Sequence, residues 1–107
     1  MYTSGTTGRP KGVMLSHDNF TWTIKAVQNR EGNPDIEKGR FVSYLPLAYA
    51  GALFFDVFLT FHKGCHIFFA DPSALQGTLL ETLKEVKPHA FFSIPRIWEK
   101  IYSRLRK

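Results

Sequence analysis

Residues 40–70 read RFVSYLPLAYAGALFFDVFLTFHKGCHIFFA, and this stretch decides the predicted fold. Its two ends, RFVSYL and CHIFFA, are short apolar segments typical of buried strands. Between them, AGALFFDVFLTFHKG is apolar nearly all round, which predicts a buried helix that ends at Gly64. Short apolar strands that alternate with helices are typical of a parallel sheet covered on both faces, with right-handed crossovers. The stretch therefore predicts an α/β fold with mainly parallel strands.

The same alternation extends towards the start of the chain. The segment GVMLSH, residues 12–17, predicts a short strand. Ser16 or Asp18 can cap the helix that follows, and the spacing i, i+4, i+7 places its apolar face at Phe20, Ile24 and Val27.

Towards the other end, SALQGTLLETLKEVKP, residues 73–88, predicts a helix that Pro88 ends. Ser73 and Gln76 have the spacing of a capping box. HAFFSI, residues 89–94, predicts another strand, and Pro95 opens a last helix. The residues predicted to face inward are Leu75, Leu79, Leu83 and Val86 on the first of these helices and Ile97, Ile101 and Leu105 on the second.

Composition limits the class of protein. A hydrophobic fraction of 44% and ten phenylalanines predict a real core and exclude disorder. Cys65, the single cysteine, cannot form an internal disulfide, which fits a reducing compartment. The longest apolar run, residues 45–61, contains Pro46 and Asp56 and is shorter than the roughly 20 residues of a bilayer span. The net charge of +5 fits phosphorylated ligands, nucleic acid or an acidic membrane surface.

The opening segment YTSGTTGRPKG, residues 2–12, has the composition of a phosphate-binding loop. Glycines let backbone N–H groups converge on a phosphate, while hydroxyls and a cation add donors and charge. The glycines are Gly5, Gly8 and Gly12, the hydroxyls belong to Thr3, Ser4, Thr6 and Thr7, and the cations are Lys11 and Arg9. Neither the Walker pattern nor G-x-G-x-x-G is present. The alternative interpretation is a flexible turn.

Several motifs together resemble one family. YTSGTTGRPKGVMLSH, residues 2–17, is similar to the signature loop of the acyl- and aryl-adenylating enzymes, which include acyl-CoA synthetases and the adenylation domains of peptide synthetases. YLPLAYAGALFFD, SALQGTLLETLKEVKP and SIPRIWEKIYSRL resemble long-chain acyl-CoA synthetases, with the bubblegum-type branch nearest. The likeness covers essentially the whole chain, and it implies an ATP-dependent fatty acid–CoA ligase.

The resemblance implies roles for particular residues. The loop residues Thr3, Ser4, Gly5, Thr6, Thr7, Gly8, Arg9, Pro10 and Lys11 would hold the β- and γ-phosphates of ATP. Mg²⁺ is expected beside them, with its carboxylate ligand outside this sequence, and coenzyme A is expected as the acyl acceptor. Tyr49 stands where relatives usually carry a histidine, at the wall between acyl carboxylate and nucleotide, and Leu53 would face an acyl tunnel. The alternative interpretation is a half-buried aromatic for Tyr49 and ordinary core packing for Leu53.

The resemblance also implies that residues 1–107 are part of a large N-terminal domain, truncated at both ends, whose remainder is a partner of this chain. The other partners expected are ATP, a fatty acid and coenzyme A, and the location expected is intracellular, either cytoplasmic or peripheral on an organelle membrane. Nucleic acid is not expected, because the cations are scattered. His62, Cys65 and His66 fit no strong zinc pattern. Another adenylating enzyme with a different acid or acceptor, or a non-catalytic remnant, are the alternative hypotheses.

Overall fold

The computed structural model describes residues 1–4, 8–31 and 38–106. Its elements are β1 (Tyr2–Thr3), β2 (Lys11–Gly12), α1 (His17–Glu31), β3 (Arg40–Ser43), α2 (Ala50–Ala52), a π-helix (Leu53–Leu59), α3 (Thr60–Lys63), β4 (His66–Phe69), a 3₁₀-helix (Ala74–Gln76), α4 (Leu79–Val86) and α5 (Pro95–Leu105). We call residues 50–63 the central helix, because α2, the π-helix and α3 follow one another without a break. Within the described ranges, no helix is long and apolar enough to cross a membrane.

The strands form two small sheets. β1 and β2 pair antiparallel, whereas β3 and β4 pair in parallel, from Arg40 opposite His66 to Ser43 opposite Phe69. On its other edge, β3 forms one parallel bridge, between Phe41 and Ala90. Helices and sheets together give a mixed α/β structure. The wider parallel sheet with helices on both faces stays a prediction.

Two predicted strands are wrong. In the segment 89–94, Ala90 alone forms a bridge. The half-buried side chains of Phe91 and Ile94 pack on the cluster of Val42, Ala74, Leu79 and Ile97 without further strand pairing. In the segment 12–17, Gly12 alone belongs to a strand. Residues 13–16 are extended towards the cap of α1 and are exposed. An apolar run alone does not separate a strand from a buried loop.

The central helix is present between the two predicted strands, and Gly64 ends it as expected. Gly64 has φ 64° and ψ 33°, the left-handed conformation that favours glycine at this position. Two features differ from the prediction. Residues 53–59 are wound as a π-helix, and Phe61 is 72% exposed, so the helix is not buried all round.

The cap and the apolar face of α1 are confirmed. The Ser16 hydroxyl accepts a bond from the Asn19 N–H at 3.2 Å, and the Asn19 side chain accepts one from the Ser16 N–H at 2.9 Å. This reciprocal pair caps the helix, so Ser16 takes the role that Ser16 and Asp18 shared in the prediction. The face packs on the central helix, where Ile24 is buried with Phe54 and Leu59.

The predicted capping box of Ser73 and Gln76 is wrong, because a 3₁₀-helix lies there and α4 begins only at Leu79. Asp71 organises this turn instead: its carboxylate accepts bonds from the Ser73 N–H and the Thr78 hydroxyl, both at 2.7 Å. Leu75 consequently lies off the helix face and is 45% exposed. α4 ends at Val86, ahead of Pro88 as predicted.

The second core lies between β3, α4 and α5. Its buried residues are Val42, Ala74, Leu79 and Ile97, and Leu83, Val86 and Ile101 pack against them. Pro95 is the first residue of α5, as predicted. The prediction for Leu105 is wrong: it is 80% exposed, because it lies in the last turn of α5, beyond the core.

Gly51 gives a test of this packing. A Cβ added there would lie 2.9 Å from Cζ of Phe92, whose ring is stacked on Phe55 with centroids 4.6 Å apart. We expect Gly51→Ala to destabilise the chain by about 1–3 kcal/mol in urea unfolding, although alanine normally favours a helix. Gly12→Ala is the control, since its added Cβ meets Tyr2 at an ordinary 3.5 Å. Unchanged stability of Gly51→Ala would show that the Phe92 ring moves freely.

Candidate functional site

The described ends of the opening loop meet in a short hairpin. β1 and β2 place Thr3 opposite Lys11, and the Thr3 hydroxyl donates a 3.4 Å bond to the Lys11 carbonyl oxygen. Gly8 has φ 118°, a conformation that glycine adopts far more easily than other residues. The hairpin therefore holds the two ends of the loop together.

The sequence-predicted residues of this loop have two outcomes. Gly5, Thr6 and Thr7 lie outside the described residues. The described members are all exposed, and they are Thr3, Ser4, Gly8, Arg9, Pro10 and Lys11. The Ser4 hydroxyl and the cations of Arg9 and Lys11 are therefore accessible to a ligand in solution, and the Thr3 hydroxyl is exposed while it donates to the Lys11 carbonyl oxygen.

Tyr49 lies beside this hairpin, although more than thirty residues separate the two in the sequence. An open cavity of about 400 Å³ is lined by residues of both segments, which are Met1, Tyr2, Thr3, Ser4, Ala48, Tyr49 and Ala50. The Tyr49 side chain is 58% exposed. The structure thus brings together the opening hairpin and Tyr49, both of which the sequence analysis proposed as parts of the site.

Tyr49 is held by its backbone at the start of the central helix. Its N–H donates to the Pro46 carbonyl oxygen at 3.0 Å, and its carbonyl oxygen accepts from the Leu53 N–H at 2.9 Å. Leu53 is therefore one turn further along the same helix. It is half-buried and is not among the described residues that line the cavity beside Tyr49.

Asp56 is a functional candidate that the sequence analysis treated only as an interruption of an apolar run. Its side chain is 4% exposed, and its Oδ2 accepts a 2.9 Å hydrogen bond from the Ser43 hydroxyl. Burial raises the pKa of the Asp56 carboxyl to about 6, and the Ser43 bond opposes part of this rise. A lone acid inside a predicted buried helix was a usable signal, since a buried charge needs a partner.

Tyr44, next to Ser43, anchors the same segment on another side. Its hydroxyl and that of Ser93 are 2.5 Å apart and share a hydrogen bond. Burial raises the pKa of the Tyr44 phenol, the Ser93 bond lowers it, and the charge of Asp56 adds a smaller upward effect. Ser43 and Tyr44 thus tie the end of β3 to two different parts of the chain.

No metal centre can be assigned to the part of the chain that the structure describes, where no three His, Cys, Asp or Glu side chains are grouped so that they could hold an ion. Among the residues considered in the sequence, His66 stacks on Phe68 with ring centroids 4.2 Å apart. The magnesium ligand expected beside ATP was placed outside this sequence.

The Asp56 carboxyl predicts a pH dependence of stability. Its pKa of about 6 in the folded chain lies above the ordinary 3.8. Between these two pH values the folded chain therefore keeps a proton on Asp56 that the unfolded chain has released. The stability it contributes is complete below pH ~3.8 and is lost as the pH rises through about 6. Asn cannot titrate, so we expect the stability of Asp56→Asn relative to the unmutated chain to rise from pH ~4 and to level off above pH ~6.5.

Thermal unfolding between pH 4 and 8 measures this difference, and Asp71→Asn is the matched control. The Thr78 bond lowers the pKa of the Asp71 carboxyl below 3.8, so the effect of that substitution should not change across this pH range. A pH-independent effect of Asp56→Asn would contradict the raised pKa.

Comparison with known proteins assigns the family. The family model described as AMP-binding enzyme matches residues 1–107. A long-chain-fatty-acid–CoA ligase of Gallus gallus, ACSBG2, is 52% identical over 108 residues, covering 99% of this chain and 14% of the relative. The long-chain-fatty-acid–CoA ligase ACSBG2 of Mus musculus is 50% identical over 109 residues, covering 100% of this chain and 16% of the relative. The ligase ACSBG1 of Rattus norvegicus is 47% identical over 109 residues, covering 100% of this chain and 15% of the relative.

The chain spans about a seventh of the length of these relatives, between 14% and 16%. No solved structure matches it. The family model nevertheless covers every residue of the sequence, and the relatives align over almost all of it. This chain therefore belongs to the family of AMP-binding enzymes.

Proposed function

We propose that residues 1–107 are part of a long-chain-fatty-acid–CoA ligase, which activates a fatty acid as acyl-AMP and transfers the acyl group to coenzyme A. The observation that carries this proposal is the identity of 47–52% to proteins with that name over 99–100% of the chain. The cavity shared by the opening hairpin and Tyr49 supports it, because a phosphate donor and a carboxylate must lie side by side to react.

The opening loop takes the phosphates of ATP in this proposal. Thr3, Ser4 and Lys11 are exposed at the hairpin that closes the loop, and Gly8 provides a turn that lets backbone N–H groups face one point. Pyrophosphate gains negative charge as it leaves, so donors fixed in advance lower the barrier to its departure. The remaining members of the proposed phosphate site are Gly5, Thr6, Thr7, Arg9 and Pro10.

Mg²⁺ is assigned no residue of this chain. As the resemblance implies, we propose that its carboxylate ligand comes from elsewhere in the complete enzyme. When bound, the ion would neutralise phosphate charge. Coenzyme A likewise receives no binding residue here.

Tyr49 would meet the acyl carboxylate from the opposite wall of the cavity. A phenol can donate one hydrogen bond to a carboxylate. A tyrosine in place of the usual histidine also keeps the alternative function open, namely another acid or another acceptor. Leu53, one turn away, is proposed to face the acyl chain.

We also propose that the chain packs against the remainder of its own AMP-binding domain, in which the β3–β4 pair belongs to a larger parallel sheet. Leu47, Phe61 and Phe69 are exposed and line an open groove of about 710 Å³ along β4. An exposed apolar patch beside a strand edge is a surface that proteins normally cover. An intracellular location, cytoplasmic or peripheral on an organelle membrane, is part of this proposal.

The phosphate role is tested in a chimaera, in which residues 1–107 replace the aligned segment of the Gallus gallus ligase. We expect Lys11→Ala to slow acyl-AMP formation by about 10²–10³-fold. The second step, from supplied acyl-AMP to the thioester, should change little, because pyrophosphate is present only in the first. Single-turnover rates of each step measure the difference.

Lys25→Ala, on α1, is the matched control and should leave both steps unchanged. Equal losses in both steps for Lys11→Ala would show that the loop supports the fold and does not grip phosphate. Acyl-AMP formation without any thioester would favour the alternative function, an adenylating enzyme with another acceptor.

The groove along β4 gives opposite expectations in two settings. We expect Phe61→Ser with Phe69→Ser to reduce aggregation of the isolated chain, because both side chains are exposed there. The same pair should lower the melting temperature of the chimaera, where we propose that they are buried. Light scattering and thermal unfolding measure the two effects. An unchanged melting temperature of the chimaera would contradict the proposed packing against the rest of the domain.

A further inference from the structure

The segment 44–49 connects the end of β3 to the start of the central helix and carries Tyr49. Ser43 is the last residue of β3, and Asp56 lies within the π-helical part of the central helix. The Ser43 hydroxyl donates to Asp56 Oδ2 at 2.9 Å, across thirteen positions of sequence. This single buried bond therefore closes the loop that contains Tyr49.

The Tyr49 backbone is held by two hydrogen bonds within the segment that the Ser43–Asp56 bond closes. Its carbonyl oxygen accepts from the Leu53 N–H, and its N–H donates to the Pro46 carbonyl oxygen. Its distance from β3 thus depends on where the helix starts. The Ser43–Asp56 bond ties the helix to β3 at a point seven residues after Tyr49. Within the helix, the Thr60 hydroxyl donates to the Asp56 carbonyl oxygen at 2.6 Å.

Fold stability alone does not account for a carboxyl at position 56. The surroundings of the π-helix are apolar, with Ile24, Phe54 and Leu59 forming a buried cluster beside it. A buried carboxylate destabilises a fold unless its partners compensate, and well-packed apolar residues of similar size are often more stable. What a carboxylate adds is a directional, charge-assisted hydrogen bond, which here has a length of 2.9 Å.

We propose that Asp56, acting through Ser43, is a positioning residue that holds Tyr49 against the acyl carboxylate in the adenylation step. Asp56 does not touch the substrate, because it is buried while Tyr49 lines the open cavity beside Thr3 and Ser4. This inference rests on the proposed function. It adds to that function the pair of Ser43 and Asp56, which sets the position of Tyr49 relative to the acyl carboxylate.

The test uses ATP–pyrophosphate exchange by the chimaera. We expect Ser43→Ala to raise the KM for the fatty acid at least fivefold and to leave the KM for ATP within twofold. Asp56→Asn, whose side-chain oxygen can still accept the Ser43 bond, should give a smaller rise. Asp71→Asn removes an exposed carboxylate that accepts a hydroxyl bond from Thr78, and as the matched control it should change neither KM.

A double-mutant cycle separates positioning from general loosening. In a Tyr49→Phe background, Ser43→Ala should raise the KM for the fatty acid less than twofold further, because the hydroxyl being positioned is already absent. Thermal unfolding checks that each variant is folded. If Ser43→Ala does not fold, Asp56→Asn takes its place in the cycle.

The outcomes are distinct. A rise in the fatty-acid KM that disappears in the Tyr49→Phe background supports the positioning role of Asp56 and Ser43. An equal rise in both backgrounds, or a loss of kcat with both KM values unchanged, overturns it while leaving the proposed function intact. Absence of exchange by the unmutated chimaera, when the Gallus gallus ligase itself is active, overturns the proposed function and with it the role assigned to Asp56.

Discussion

The hydrogen bonding of β3 on both of its edges determines where β4, the central helix and the end of α4 lie. β4 bonds to one edge along four residues, and the Phe41 bridge to Ala90 uses the other. The connection from β3 to β4 must then cross over one face, which puts the central helix there. Arg40 adds a link at the start of the strand, because its guanidinium donates to the carbonyl oxygens of Val86 and Lys87 at the end of α4.

Because β3 is buried, the polar side chains beside it need hydrogen-bond partners within the protein. Ser43, Asp56 and Thr60 are buried, and each has a hydrogen-bond partner inside the protein. The Thr60 hydroxyl donates to the carbonyl oxygens of both Asp56 and Val57, the local bond that serine and threonine make in helices. Such bonds spare the buried groups the free energy of lost hydration. The buried Asp56 is therefore hydrogen-bonded through both its carboxyl and its backbone carbonyl oxygen.

Sequence reasoning succeeded where the deciding signal is local. The Ser16 cap, the left-handed Gly64 and the helix start at Pro95 each depend on a few neighbouring residues. It failed where distant packing decides. The apolar residues between Ala90 and Ile94 pack on a core shared by β3, α4 and α5 without forming a strand. Leu105 has the right periodicity but is exposed in the last turn of α5. In the site, the resemblance pointed to the loop and Tyr49, whereas Asp56 needed the structure, since no spacing rule links it to Ser43.

Polar side chains are exposed at the site, whereas apolar side chains are buried in the core, and this difference explains why the first residues of the sequence are polar. Their described hydroxyls and cations lie exposed on a hairpin, and the Thr3 hydroxyl donates to the Lys11 carbonyl oxygen there. Burial of apolar area therefore gives no reason for their number. Tyr49 is similarly exposed, yet its backbone is bonded on both sides. Rigid backbone beneath exposed polar side chains is the arrangement that binding requires, because the free energy of ordering is spent during folding and not when the ligand arrives. The buried bond at Asp56 extends that rigidity from the core to the rim of the cavity.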